Sequence, residues 1–160
     1  MTAVSWHGIF VRVAAGPKLN SISTVPARSG LSMQKILIIE DHADMRELLS
    51  WQIELMGFVP ILAKHGKEGV EKAIAEKPEL ILMDIMMPGM DGWEAARAVR
   101  VSPEIKDIPI LAATAMFRDS DLKTCMEAGC NSYIVKPFTF LELQSKIREL
   151  LPQSKDAVPS

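Results

Sequence analysis

Only two cysteines occur in the 160 residues, Cys125 and Cys130, five apart near the end of a predicted helix. No second Cys or His pair stands at metal-ligand spacing, so a zinc centre is not expected. Two small apolar core residues in a reduced, intracellular protein explain the pair more simply. No apolar run approaches the ~20 residues that cross a bilayer, which excludes a membrane-spanning role for these segments. Excess charge is also lacking. A formal net charge of −2 gives no bulk attraction to nucleic acid or to an anionic membrane. What is present, 48% apolar and 24% charged residues over 160 positions, suits one globular domain with a real core.

The first 32 residues contain no acid, yet carry Arg12, Lys18, Arg28 and several Ser and Thr. That composition superficially suits an organelle transit peptide, whereas a secretory signal is a poor match because no basic run precedes the apolar stretch. The simpler reading is a disordered extension, or an upstream start codon with Met33 as the natural start. We therefore divide the chain into an extension over 1–33, a domain over 34–152 and a short tail over 153–160.

From Met33 onward, apolar runs alternate with amphipathic segments. KILIIE, Lys35–Glu40, suits a strand buried on both faces. Residues 44–56 place Met45, Leu48, Leu49, Ile53 and Met56 at helical spacing, and Gly57 ends the segment. A second strand is expected over 58–63, then a helix over 67–76 built on Val70, Ala73 and Ile74. Residues 80–84 form the third strand. Asp91 and Glu94 have the spacing of a capping box for a helix reaching about Arg100. A fourth strand over 108–113, a helix over 119–128 stopped by Gly129 and a short strand over 133–135 follow. Thr139 and Glu142 then cap a last helix with Leu143, Ile147, Leu150 and Leu151 on one face.

Five strand–helix repeats with short connections imply an α/β fold: a doubly wound, five-stranded parallel sheet covered on both faces. Pro60 cannot donate to a ladder, so the second strand belongs at an edge, where the flavodoxin-like order 2-1-3-4-5 puts it. In such sheets sites form beyond the carboxyl ends of the strands, at the switch point. The strand ends are Glu40-Asp41, Asp84, Thr114 and Lys136. Three carboxylates on one pole repel unless a cation neutralises them, and Mg²⁺ is the hard cation that pairs carboxylates with phosphate oxygens. In that setting Asp84 can act as a nucleophile toward phosphorus, with Lys136 and the Thr114 hydroxyl holding phosphoryl oxygens.

Glu40-Asp41, Asp84 within D-x-x-M-P-x-M-D-G-x-E, Thr114-Ala115 and Lys136-Pro137 together resemble the receiver domains of two-component response regulators, in order and spacing, from Lys35 to about Leu151. The resemblance implies that Asp84 accepts a phosphoryl group from a phosphohistidine on a histidine kinase or histidine phosphotransfer protein. It implies Mg²⁺ held by Asp41, Asp84 and the Met86 backbone carbonyl, with Glu40 acting through water. Thr114 and Lys136 would contact the phosphoryl group, and Tyr133 would be the switch aromatic that turns inward as Thr114 moves. The face made by the fourth helix, fifth strand and fifth helix would then repack for partner binding or onward phosphotransfer. Family members often hold the Lys-Pro bond cis.

Plainer readings suffice for several neighbours. Asp91 is a helix cap, Asp44 a first-turn acid favoured by the helix dipole, and Arg46 a solvated or partner-facing residue. His42 lacks a second histidine to support metal binding. Trp51, Trp93 and Met83 are expected to pack. Met86 and Met116 stand two residues after Asp84 and Thr114, where apolar side chains would impede water and prolong an aspartyl phosphate.

Only PQSKDAVPS follows Leu151, too short for a DNA-binding module, so a stand-alone cytoplasmic receiver with no direct DNA binding is expected. Its output would pass to a downstream effector protein, with transient homodimerisation through the same face left open. Beyond its own phosphorylation and dephosphorylation, no enzymatic activity is expected. A flavodoxin-like flavin protein is disfavoured because Glu40-Asp41 would repel the flavin phosphate. A phosphohydrolase would carry a second Asp where Met86 stands. A degenerate receiver that binds partners without phosphorylation remains the third alternative.

Overall fold

The computed structural model describes residues 33–115 and 118–151. The expected extension before Met33, the tail over 153–160 and Met116 lie outside the described residues. Within them, strands and helices alternate: β1 (Lys35–Ile39), α1 (Ala43–Leu55), β2 (Val59–Ala63), α2 (Gly66–Glu76), β3 (Leu80–Asp84), α3 (Gly92–Val101), β4 (Ile110–Thr114), α4 (Asp119–Glu127), β5 (Ser132–Val135) and α5 (Phe140–Leu150).

The strands pair in parallel in the order β2-β1-β3-β4-β5. Pro60 sits on edge strand β2, opposite Ile36, where its missing N–H interrupts no second ladder. Apolar runs without alternation make sense here because both faces of the sheet are covered. Leu37, Ile39, Ile81, Met83, Ile110 and Ala112 point into a core shared with α2, α3 and α4. Their neighbours Ile36, Ile38, Leu80, Leu82, Leu111 and Ala113 enter a second core closed by Leu49 and Ile53 of α1 and Leu143 and Ile147 of α5.

Several boundaries differ from expectation by one or two residues, two of them at the strands that lead to the site. β4 begins at Ile110 because the Ile108 N–H closes a turn on the Ile105 carbonyl. β1 ends at Ile39, which leaves Glu40 as the first residue beyond the strand. The expected packing of Leu48, Trp51 and Ile74 is not found. Trp51 is 56% exposed and Leu48 45%. At about 100° per residue, Trp51 lies about 200° round α1 from buried Leu49, on the solvent side. Ile74, adjacent to buried Ala73, is likewise turned toward solvent. Trp93, in contrast, packs against the α2–α4 core.

The cysteines are free and buried, as a core pair should be. They also complete the end of α4. Gly129 takes φ +100°, and the Cys130 N–H reaches back to the Cys125 carbonyl at 3.2 Å. This is the hydrogen bond of a Schellman stop, which commonly brings apolar side chains at these two positions together.

Candidate functional site

The parallel sheet brings the carboxyl ends of β1, β3, β4 and β5 to one pole, and backbone bonds hold those ends in register. Glu40 N–H donates to the Ala63 carbonyl (3.1 Å), Ile85 N–H to Ala113 (3.1 Å) and Lys136 N–H to Thr114 (2.8 Å). The residues that follow the strands are thereby brought to one pole.

Asp84, the last residue of β3, is buried. One carboxylate oxygen, Oδ1, accepts the Met86 N–H at 3.0 Å; Oδ2 lies 3.3 Å from Lys136 Nζ. Lys136 Nζ also donates to Glu40 Oε2 at 2.9 Å, so one ammonium bridges two buried acids. Burial opposes the charge on Lys136, but the hydrogen bond to Glu40 and the fields of Asp84 and Glu40 outweigh it and raise the pKa. Thr114 ends β4 and is buried. Tyr133 is half-buried on β5, in register with Ala112 and packed against the α2–α4 core. The Met86 side chain is largely exposed at the rim. The Lys136-Pro137 peptide bond is cis.

Ligand atoms of Glu40, Asp41, His42 and Asp84 all lie within 4.8 Å of one another. Asp41 Oδ1 is buried and accepts no hydrogen bond; its neighbour is the His42 ring nitrogen, at 3.2 Å. A buried carboxylate oxygen without a donor, beside two more acids, is an arrangement that a hard divalent cation would complete. The residues present therefore fit magnesium. Asp91 is not part of the cluster. Its side chain accepts the Glu94 N–H (2.8 Å), and Glu94 Oε2 accepts the Asp91 N–H (3.2 Å), a complete capping box.

Three residues matter more than sequence reasoning allowed. His42 donates its backbone N–H to Glu40 Oε1 (3.2 Å), and its ring nitrogen lies 3.3 Å from the same oxygen. Arg46 is half-buried, and its guanidinium donates to the Glu40 and Asp41 carbonyls, so the solvated reading does not hold. Gly92 opens α3 against the strand that carries Asp84. A Cβ there would stand 2.6 Å from the Asp84 carbonyl oxygen and 2.7 Å from Ile85 Cα. A glycine directly after a capping Asp was the available signal.

A doubly wound domain with a lysine-bridged acidic pocket at its switch point defines a narrow class of protein. A family model, the response regulator receiver domain, matches residues 36–148. The chain belongs to that family, the receiver domains of two-component signalling. Among curated relatives, the alkaline phosphatase synthesis transcriptional regulatory protein PhoP of Bacillus subtilis is 35% identical over 79% of this chain and 52% of its own length. A probable transcriptional regulator of Guillardia theta is 33% identical over 78% of this chain and 48% of its own. The chain thus spans about half the length of the curated relatives it matches. Among solved structures, the Vibrio cholerae chemotaxis protein CheY4 superposes with a TM-score of 0.72 at 28% identity, covering 75% of this chain and all of that one. The receiver domain of a Pseudomonas aeruginosa sensor histidine kinase gives 0.69 at 31% identity, covering 74% and 98%; its structure holds a magnesium ion in the active-site cleft. Among the described residues, no helix is long and apolar enough to cross a membrane.

Proposed function

We propose that Asp84 is the phosphoacceptor of this receiver and that a histidine kinase or histidine phosphotransfer protein is the donor. The carrying observation is the state of its carboxylate: Oδ1 is fixed by the Met86 N–H, while Oδ2 is left toward Lys136 at the pocket. In the transfer, the P–N bond to the donor imidazole breaks and a P–O bond to Asp84 forms. The imidazole leaves with the bonding pair and takes up a proton. Lys136, already between Glu40 and Asp84, is placed to follow the charge onto a phosphoryl oxygen, and the Thr114 hydroxyl would donate to another.

Mg²⁺ would be held by Asp41, Asp84 and the Met86 carbonyl, and would neutralise charge on the phosphoryl oxygens when bound. Both Glu40 oxygens already have protein donors, in Lys136 Nζ and the His42 N–H, which supports an outer role for Glu40 through water. Tyr133 is assigned the switch, passing the change to the face of α4, β5 and α5. A downstream effector protein, an onward phosphotransfer partner or a transient second copy would engage that face, rather than DNA engaging the domain directly. The exposed Met86 side chain, with Met116, is assigned to slowing attack by water on the aspartyl phosphate.

A donor protein must cover the pocket mouth, which the first residues of α1 and Lys136 line. From that rim the exposed side chains of Leu48, Trp51 and Leu55 run along one side of α1. An apolar stripe beside the mouth supports docking of the donor there.

The test uses Mg²⁺ with a small phosphodonor on wild type and Asp84→Asn, read by intact mass. Wild type is expected to gain one phosphoryl group and the variant none. Phosphorylation retained in Asp84→Asn overturns the assignment, and an unmodified wild type favours a receiver that binds partners without phosphorylation.

A further inference from the structure

The carbonyls that follow the two acids of the β1–α1 loop belong to neither neighbouring element. The Glu40 N–H makes the last bond between β1 and β2, to the Ala63 carbonyl (3.1 Å), and the first backbone bond of α1 runs from the Arg46 N–H to the His42 carbonyl (2.9 Å). The Glu40 and Asp41 carbonyls fall between. Side chains on a helix lean toward its N-terminus, so Arg46 in the first turn of α1 runs back over that gap. Its Nη1 donates to the Glu40 carbonyl at 2.8 Å and to the Asp41 carbonyl at 3.2 Å. The Asp41 carboxylate has little else to orient it, since its buried Oδ1 accepts no hydrogen bond.

We propose that Arg46 is a positioning residue for the acidic pocket: its guanidinium ties back both loop carbonyls, so that the Glu40 and Asp41 carboxylates are held toward the cation site. This rests on the reading of the pocket as a magnesium site. Arg46 touches neither the cation nor the phosphoryl group; it acts through the backbone. Partners behind a metal's own ligands change affinity by about 10–100-fold when removed. The lower end applies here, because the strand ends are also held by the sheet.

The test is Mg²⁺ titration by calorimetry on the full chain, with thermal unfolding in chelator beside it, for wild type, Arg46→Met, Arg46→Lys and Asp41→Asn. Arg46→Met is expected to weaken Mg²⁺ about 10-fold. Arg46→Lys should fall between the two, because an ammonium restores the charge but not the planar, fixed donor geometry of the guanidinium. Should Arg46→Met not fold, Arg46→Gln, which keeps a donor without the charge, is titrated in its place. Affinity within about twofold of wild type in that variant overturns the positioning role, even where the thermal midpoint drops. A wild type that binds no Mg²⁺ overturns the magnesium reading itself. Binding by wild type, weakened in Asp41→Asn and unchanged in Arg46→Met, removes only the role given to Arg46.

Discussion

Replacing Asp41 with Asn should stabilise the domain without Mg²⁺ and destabilise it relative to wild type with Mg²⁺. Asp41, Glu40 and Asp84 place ligand atoms within 4.8 Å of one another. At an effective dielectric of about 20, two unit charges at 4.8 Å repel by about 3.5 kcal/mol. Asp41 thus meets two repulsions of that order, and Oδ1 gains no hydrogen bond in return. Solvent at a side chain 22% exposed and the ammonium of Lys136 reduce the net effect to about 1–2 kcal/mol. Asn has nearly the same shape and removes the charge. Urea unfolding at about pH 8, where an unperturbed histidine is neutral, should therefore favour Asp41→Asn by about 1 kcal/mol in chelator. Mg²⁺ at about 100 times its Kd adds about 2.7 kcal/mol to wild type, and little to a variant that has lost a ligand. The order of stabilities then inverts. A variant less stable than wild type in chelator would show that the pocket is not strained by its charges, and the electrostatic case for a cation would fall with it.

Three further outcomes follow from the same geometry. The Lys136 pKa is raised, so its ion pairs contribute fully below the unfolded lysine value of about 10.4 and are lost as pH climbs through the higher native one. The stability gap between wild type and Lys136→Met, measured in urea, should be flat from neutral pH to about 10 and close above it; a gap that closes near neutrality would refute the pairing. Gly92→Ala should cost about 1–3 kcal/mol in urea unfolding and slow phosphorylation, because backbone at 2.6–2.7 Å from the new Cβ cannot swing aside as a side chain would. Unchanged stability and rate would show that α3 shifts freely. Leu48→Ser with Trp51→Ser should slow phosphorylation by a cognate donor protein while leaving that by a small phosphodonor unchanged; equal effects on both would remove the docking role of α1.

Strand ends were legible because parallel strands buried on both faces announce themselves as continuous apolar runs. The switch-point rule then gathers whatever follows them. Asp84, Thr114 and Lys136 needed only that rule, and Pro60 fixed the edge. Helix faces were legible only where burial was one-sided. Leu48, Trp51 and Ile74 have apolar side chains near the expected stripe, yet periodicity alone does not say how wide a face the sheet covers. Helix α1 buries Leu49 and Ile53 and turns Trp51 out, although hydropathy ranks all three as core candidates.

Contacts from long polar side chains to backbone carbonyls were the illegible part, because they carry no period. Arg100 makes the point away from the pocket. Its guanidinium donates to the carbonyls of Gly129 (2.8 Å), Lys106 (2.7 Å) and Ile108 (2.8 Å) and to Asn131 Oδ1 (2.7 Å). Asn131 Oδ1 also accepts the Ile110 N–H at 2.9 Å, so the clasp reaches the first residue of β4. Arg46 does at the carboxyl end of β1 what Arg100 does at the amino end of β4. Each arginine binds carbonyls that strand and helix leave over, in loops that a purely apolar core cannot reach. The sheet brings the acids of this receiver to one pole. Whether they face the pocket once there depends on how such loops are tied, and that dependence makes a residue that never touches phosphate worth titrating.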